Sequence, residues 1–154
     1  MIEWTIRPAA PTDIAAVLPL MAEHAAFERL DYLQQARLDM LPAALVTTPP
    51  RLYLWLAQVD DAIVGYASAT LDFSTLDRAT YLHMDCLFVR TGWRGHGIGR
   101  GLWHRLRDFA YARGCLNMQW QTPDWNEDAA RFYRRLGAKE WLKRRYTLRL
   151  DAGQ

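Results

Sequence analysis

Between Val89 and Ala110 the chain reads VRTGWRGHGIGRGLWHRLRDFA, with Gly95, Gly97, Gly99 and Gly101 at alternate positions where a helix should begin. Glycine costs about 1 kcal/mol relative to alanine inside a helix. Four at a helix mouth therefore need a reason in what comes close to the backbone. The first helical turn carries unpaired N–H groups and the positive end of the helix dipole, a natural anion site. Bare glycines let a phosphate reach those amides, and Arg94 and Arg100 add charge at the rim. Two nucleotide motifs can be tested directly, and both fail. The pattern G-x-G-x-x-G breaks because Gly95 and Gly97 lead to Arg100, while Gly97 and Gly99 lead to Leu102. The P-loop pattern breaks because Ile98 and Gly99 stand where Lys and Ser/Thr belong. A plain strand-to-helix turn needs one or two glycines, so the spacing points to an anionic ligand.

The segment before the glycines, ATYLHMDCLFV (79–89), carries the next candidates. Strand alternation puts His83, Asp85 and Leu87 on one face and Met84, Cys86 and Phe88 on the other. His83 reads first as a satisfied strand histidine and second as a base beside Asp85. Cys86 has apolar neighbours and no activating pattern, so it reads as a buried structural thiol. A metal site from His83, Asp85 and Cys86 is not expected, because Cys86 faces away. Farther on, Ala129, Phe132, Tyr133 and Leu136 repeat at helical spacing and by periodicity alone read as a core stripe.

The elements that must position these residues follow from pattern. WTIRPA (4–9) reads as a strand ended by Pro8, and residues 11–28 as a helix that Thr12 or Asp13 can cap and Pro19 would kink or break. Its stripe is Ile14, Val17, Leu18, Met21 and Ala25. A second helix is expected over roughly 31–46, then a loop at 47–51. Strands at 52–59, 63–73 and 79–89 form an antiparallel meander. A helix at 97–113 buries Ile98, Leu102, Leu106, Phe109 and Ala110 and ends at Gly114. A strand at 115–122, a short helix at 126–138 and a hairpin at 138–150 complete the order. The fold class is α/β with a central, mixed, mostly antiparallel sheet, and the strand–helix–strand piece around the glycines is a parallel right-handed crossover.

The 154 residues are read as a single domain, 1–154, large enough to bury a real core. Composition is ordinary for a soluble globular protein. No apolar run approaches the ~18 residues of a membrane span, and MIEWTIRPAAPTD lacks the form of a signal peptide. Two cysteines make neither a disulfide framework nor a zinc motif, so a reducing cytoplasm is the expected compartment. The net charge of +2 hides an asymmetry: residues 1–89 hold 5 Lys/Arg against 11 Asp/Glu, and residues 90–150 hold 14 against 5. Solvated surface explains such a split; so do an anionic ligand for one half and a cationic one for the other. Nucleic-acid binding is not expected, since the basic run KRR (143–145) is short and sits in the expected hairpin.

Arg94-Gly95-His96-Gly97-Ile98-Gly99 resembles the R/Q-x-x-G-x-G/A signature of the Gcn5-related N-acetyltransferase (GNAT) superfamily, placed after a strand and before a helix as in that family. Residues Asn126 to Ala138, with Ala129, Phe132, Tyr133 and Gly137, are similar to the family's N-x-x-A-x-x-F-Y-x-x-x-G-A/F segment. Parts of the chain look most similar to spermidine/spermine and thialysine N-acetyltransferases. The resemblance implies acetyl-CoA as co-substrate with no metal, a small cationic amine as acceptor and a homodimer. It implies that Arg94, Gly95, His96, Gly97, Ile98, Gly99 and Arg100 hold the pyrophosphate. Leu87, Phe88 and Val89 would offer backbone contacts where their strand splays from its neighbour, and Asn126, expected as a helix N-cap, would also touch coenzyme A. Tyr133 becomes the candidate general acid for the leaving thiolate and a coenzyme A contact. Asp85 falls on a glutamate thought to accept the amine proton, while Cys86 replaces an acidic residue of the polyamine enzymes. Phe27, Glu28, Asp85 and Trp125 fall on acceptor-binding positions. His96 itself reads as a solvent-facing loop side chain. Two other readings remain open here: acetylation of a protein side chain or N-terminus, and an idle acyl-CoA-binding module.

Overall fold

The computed structural model describes residues 2–32 and 36–150, which divide into two compact units, Met1–Gln121 and Thr122–Gln154. In the first unit strand β1 (Thr5–Pro8) stops at its proline. Pro11–Asp13 then form a short 3₁₀ turn, and helix α1 (Ile14–Phe27) follows. Asp13 occupies the N-cap of α1 without capping it. Its carboxylate turns back to accept the Ala10 amide at 2.7 Å and both ends of the Arg7 guanidinium at 2.8 and 2.9 Å. The Arg7 hydrogen bonds, then the Ala10 amide, hold its carboxyl down at about 2. Helix α1 also runs through Pro19 unbroken, with Val17 and Leu20 fully buried on its packed face.

The second expected helix is shorter than its pattern. Helix α2 spans Met40–Val46, and residues 33–35 of the expected range lie outside the described residues. Arg37 has φ 49°, a left-handed backbone that a helix cannot pass through. Pro42 then falls in the first turn of α2, where no intrahelical N–H bond is lost.

Strands β2 (Tyr53–Val59), β3 (Ala62–Ser74) and β4 (Ala79–Val89) form the expected meander. The sheet order is β1-β2-β3-β4-β5, antiparallel except for the parallel β4–β5 pair. Strand β5 keeps only Met118–Gln119 of the expected 115–122, facing Leu82 and His83. Helix α3 (Ile98–Ala112) makes the crossover. Pleating sends Leu54 and Leu56 to one face, where Ile14, Val17 and Leu20 of α1 meet Tyr66 and Phe88. Tyr53 and Trp55 point the other way and pack on Phe109 of α3, at centroid distances of 4.7 and 5.1 Å. Helix α3 buries Ile98, Leu102, Leu106 and Ala110 as its periodicity demands, and Trp103 besides.

One of the four glycines answers to packing. A Cβ on Gly101 would lie 2.5 Å from the Trp4 ring and 3.1 Å from Ile6. This glycine lets α3 close onto the residues leading into β1. Gly101→Ala should therefore act as an overpacked core change, costing about 1–3 kcal/mol of stability in urea unfolding. An unchanged midpoint would show that Trp4 is free to move aside.

In the second unit helix α4 (Glu127–Arg135) begins as expected: Asn126 is its N-cap, and its side-chain oxygen accepts the Ala129 amide at 3.1 Å. Arg134 bonds Glu140 at 3.0 and 3.2 Å. The expected hairpin does not form. Residues 138–150 have no strand, and Trp141, Leu142, Tyr146, Leu148 and Leu150 are 80–88% exposed. The segment carries three successive cations, Lys143, Arg144 and Arg145, where a turn residue would be needed. A two-stranded hairpin standing alone is marginal even with one.

Candidate functional site

The glycine segment takes up a shape suited to an anion. Thr91–Trp93 form a 3₁₀ turn, and Gly95 and Gly97 follow with φ of 82° and 81°. Gly97 is the N-cap of α3 and supplies no side-chain cap. Intrahelical bonding starts with the Gly101 amide on the Gly97 carbonyl at 2.9 Å. The Ile98, Gly99 and Arg100 amides thus form the unpaired first turn, with Arg100 exposed on it. An anion supplied from outside satisfies those donors and gains from the dipole, so this end of α3 fits a pyrophosphate.

Trp4 sets the loop from below. Its indole N–H donates to the His96 carbonyl at 3.0 Å. In a trans peptide C=O and N–H point opposite ways, so this bond turns the Gly97 N–H away from Trp4. A Cβ on Gly97 would lie 3.8 Å from Trp4, an ordinary contact on the underside. Gly97 is therefore demanded by its left-handed backbone more than by a phosphate pressing on its α-carbon. The His96 side chain is exposed, as expected; its functional group here is the carbonyl.

Arg94, exposed just before the glycines, also has partners of its own. Its Nε donates to the Val89 carbonyl at 2.9 Å, and its guanidinium lies 4.6 Å from the Phe27 ring centroid and 5.5 Å from that of Phe88. These are cation–π distances. Arg94 thus ties the loop to the end of β4 and to α1.

Strand β4 is open on one side near its end. Leu87, Phe88 and Val89 pair with Ala67, Tyr66 and Gly65 of β3, while the pairing with β5 stops at His83. Among the described residues the β5-side edge of residues 85–89 therefore has no strand partner. The register also slips between Ser68 and Ala69, leaving Asp85 unopposed between Met84 and Cys86. This is a β-bulge, a device that re-aims a side chain. The Asp85 side chain is 60% exposed, with one oxygen 3.8 Å from His83 Nε2. Its other oxygen lies 3.8 Å from Cys86 Sγ. Cys86 is a protected thiol as expected: burial, then the Asp85 charge, push it up to about 12.

Glu28 was expected here from the resemblance; His24 and Tyr66, which stand with it, were not. His24 and Glu28, one turn apart on α1 and its C-cap, are bonded through His24 Nε2. His24 Nδ1 lies 2.6 Å from the Tyr66 hydroxyl, and the ring stacks on Phe88 at 5.0 Å. Burial, and then the neighbouring Cys86, raise the pKa of the Tyr66 phenol. The spacing HAAFE was the available signal for His24; Tyr66 gave none, because its neighbours come from a different strand and helix. Glu28, Phe27 and Asp85 are thus gathered at one end of β4, and Glu23 pairs with Arg90 beside them at 2.8 Å. Tyr133, Asn126 and Trp125 belong to the second unit. Trp125 is 42% exposed just before α4, and Ala129, Phe132, Tyr133 and Leu136 form the half-buried face of that helix while its charged residues are exposed.

The sheet is mixed, its β4–β5 pairing stops at His83, and the glycine-started helix α3 lies between those two strands in the chain. The profile of the acetyltransferase (GNAT) family matches residues 15–138, so the chain belongs to that family and is an N-acetyltransferase dependent on acetyl-CoA. It is 27% identical to the thialysine N-epsilon-acetyltransferase of Mus musculus, over 95% of this chain and 94% of that one. Its fold is shared with the aminoglycoside acetyltransferase meta-AAC0020, from an uncultured soil metagenomic sample, in complex with sisomicin (TM-score 0.79, 21% identity, 95% and 97% covered). It is shared also with the aminoglycoside N-acetyltransferase AAC(6')-Iy in complex with CoA (TM-score 0.81, 18% identity, 98% and 97% covered). No helix among the described residues is long and apolar enough to cross a membrane.

Proposed function

We propose that the protein acetylates a primary amine of a small cationic molecule, by direct attack while both substrates are bound. The observation that carries this reading is the acidic edge beside the open end of β4: Glu28 and Asp85 both act on His24, and Phe27 adds an aromatic wall. Two carboxylates against the single Arg94 cation leave this edge acidic, which favours a cationic molecule. The names of the mouse relative and of the sisomicin complex, both amine acetyltransferases, support the same class.

Acetyl-CoA supplies an activated acetyl group as a thioester. The first turn of α3 holds its pyrophosphate, with Ile98, Gly99 and Arg100 donating backbone N–H groups. Main-chain groups of Leu87, Phe88 and Val89 align the arm and polarise the thioester carbonyl. Asp85 takes the proton that the ammonium must lose, directly or through water, with His83 beside it. Tyr133 gives its phenolic proton to the departing sulfur. No covalent bond to the enzyme is needed, since holding both substrates together supplies the rate advantage. The same reading includes a homodimer, which the exposed Trp141, Leu142, Tyr146, Leu148 and Leu150 support.

A panel of thialysine, polyamines, amino acids and aminoglycosides, followed by free-thiol release from acetyl-CoA, tests the reading. Turnover should favour the more cationic acceptors and fall as salt rises. Tight acetyl-CoA binding without turnover of any amine would leave the idle binding module. Turnover confined to peptide N-termini or lysines would move the acceptor to protein.

A further inference from the structure

The bonds of His24 fix its protonation and give it work to do. Glu28 as a carboxylate can only accept, so His24 Nε2 carries the hydrogen of their bond. A neutral ring then leaves Nδ1 as the acceptor for the Tyr66 hydroxyl. The side chain is 12% exposed and lies flat on Phe88, so the ring cannot swing away. Glu28 itself is 24% exposed and remains open to a ligand.

We propose that His24 is a positioning residue that sets the charge of the acceptor edge: neutral, it holds the Glu28 carboxylate in place as an anion, and protonated, it cancels that charge. This rests on the reading of the edge as the seat of a cationic amine. Every charged or titratable group around the ring belongs in the balance. Glu28 and Glu23 stand on or beside α1, with Glu23 already matched by Arg90. Tyr66 stands on β3, Cys86 and Asp85 on β4, and Arg94 in the loop after it, with Tyr32 acting on Tyr66. Burial lowers the His24 pKa most, Arg94 lowers it further, and Glu28 and Asp85 raise it. The net shift is downward, so the ring is neutral at pH 7 and sets no positive charge beside Glu28. As pH falls below the ordinary histidine value of about 6.5, the ring charges and the edge loses its pull on a cation.

Two measurements test this independently. The first is the imidazole ¹⁵N spectrum of the free protein against pH, which needs no turnover. His24 should show Nε2 protonated and Nδ1 unprotonated at pH 7, and should charge at a lower pH in Glu28→Gln than in the unmodified protein. A midpoint identical in both would overturn the proposal whatever the enzyme acetylates. The second is kinetic, with thialysine as acceptor. His24→Leu should raise the KM for thialysine about tenfold, more than it lowers kcat. His24→Gln keeps a neutral N–H toward Glu28 and cannot take a proton. It should restore most of the KM and abolish the loss of thialysine affinity on the acid side. Should Gln behave as Leu does, or should the acid-side loss persist in it, His24 is not the group that sets the charge. A titration that responds to Glu28→Gln while thialysine is not turned over would sustain the His24–Glu28 coupling and overturn the acceptor reading alone.

Discussion

Gly97→Val should abolish coenzyme A binding, lowering affinity by at least about 10²-fold in calorimetric titration, while circular dichroism shows the fold retained. The magnitude follows from the helix start. Gly97 holds φ 81° at the N-cap of α3, a conformation that a β-branched residue does not tolerate. The added Cβ itself would sit only in ordinary contact with Trp4, at 3.8 Å. Valine must therefore act through the backbone: φ turns negative, the Trp4 bond to the His96 carbonyl is lost, and the first-turn amides are re-aimed. A hydrogen bond to a charged group is worth about 1.5–3 kcal/mol, so losing two from a pyrophosphate removes about 3–6 kcal/mol of binding. Backbone strain alone is about 1–3 kcal/mol and would appear as lost stability instead. The two costs separate by experiment, since binding should fall in Gly97→Val while Gly101→Ala chiefly shifts the unfolding midpoint. Retained affinity in Gly97→Val would remove the phosphate cradle from this loop.

That pair of glycines also shows how far the sequence could be read. The alternation marked a site but did not distinguish its members. Gly95 and Gly97 serve a left-handed backbone, whereas Gly101 makes room for Trp4, 97 residues away in sequence. Long elements with one clear periodicity, α3 above all, were legible because their burial is one-sided and local. What escaped depended on partners brought from elsewhere. Asp13 can cap a helix, yet Arg7 across the turn competes for its carboxylate and wins with two bonds. Strict alternation rightly put His83 and Asp85 on one face, within 3.8 Å, but could not foresee the bulge that leaves Asp85 unopposed. His24 drew no reading at all, because its partner Tyr66 arrives from β3. The hairpin expected at 138–150 has no turn residue to close it, and no strand forms there.

Tyr133→Phe should lower kcat by about 10²-fold or more while the affinity for coenzyme A changes little. The substitution removes one oxygen and keeps the ring, so it separates proton donation from packing. Helix α4 is well founded without that oxygen: Asn126 caps it, Glu127 and Asp128 sit at its positive end, and Arg134 and Arg135 at its negative end. The Tyr133 ring meets Phe132 edge-on at 5.3 Å, a contact that phenylalanine repeats. A thiolate leaves poorly without a proton, so the deficit should shrink with an acyl donor whose thiol is more acidic than coenzyme A's. A variant that turned over at the normal rate would return Tyr133 to packing. A variant slow with every donor alike would instead assign the hydroxyl to orientation, because a general acid is needed least by the best leaving group.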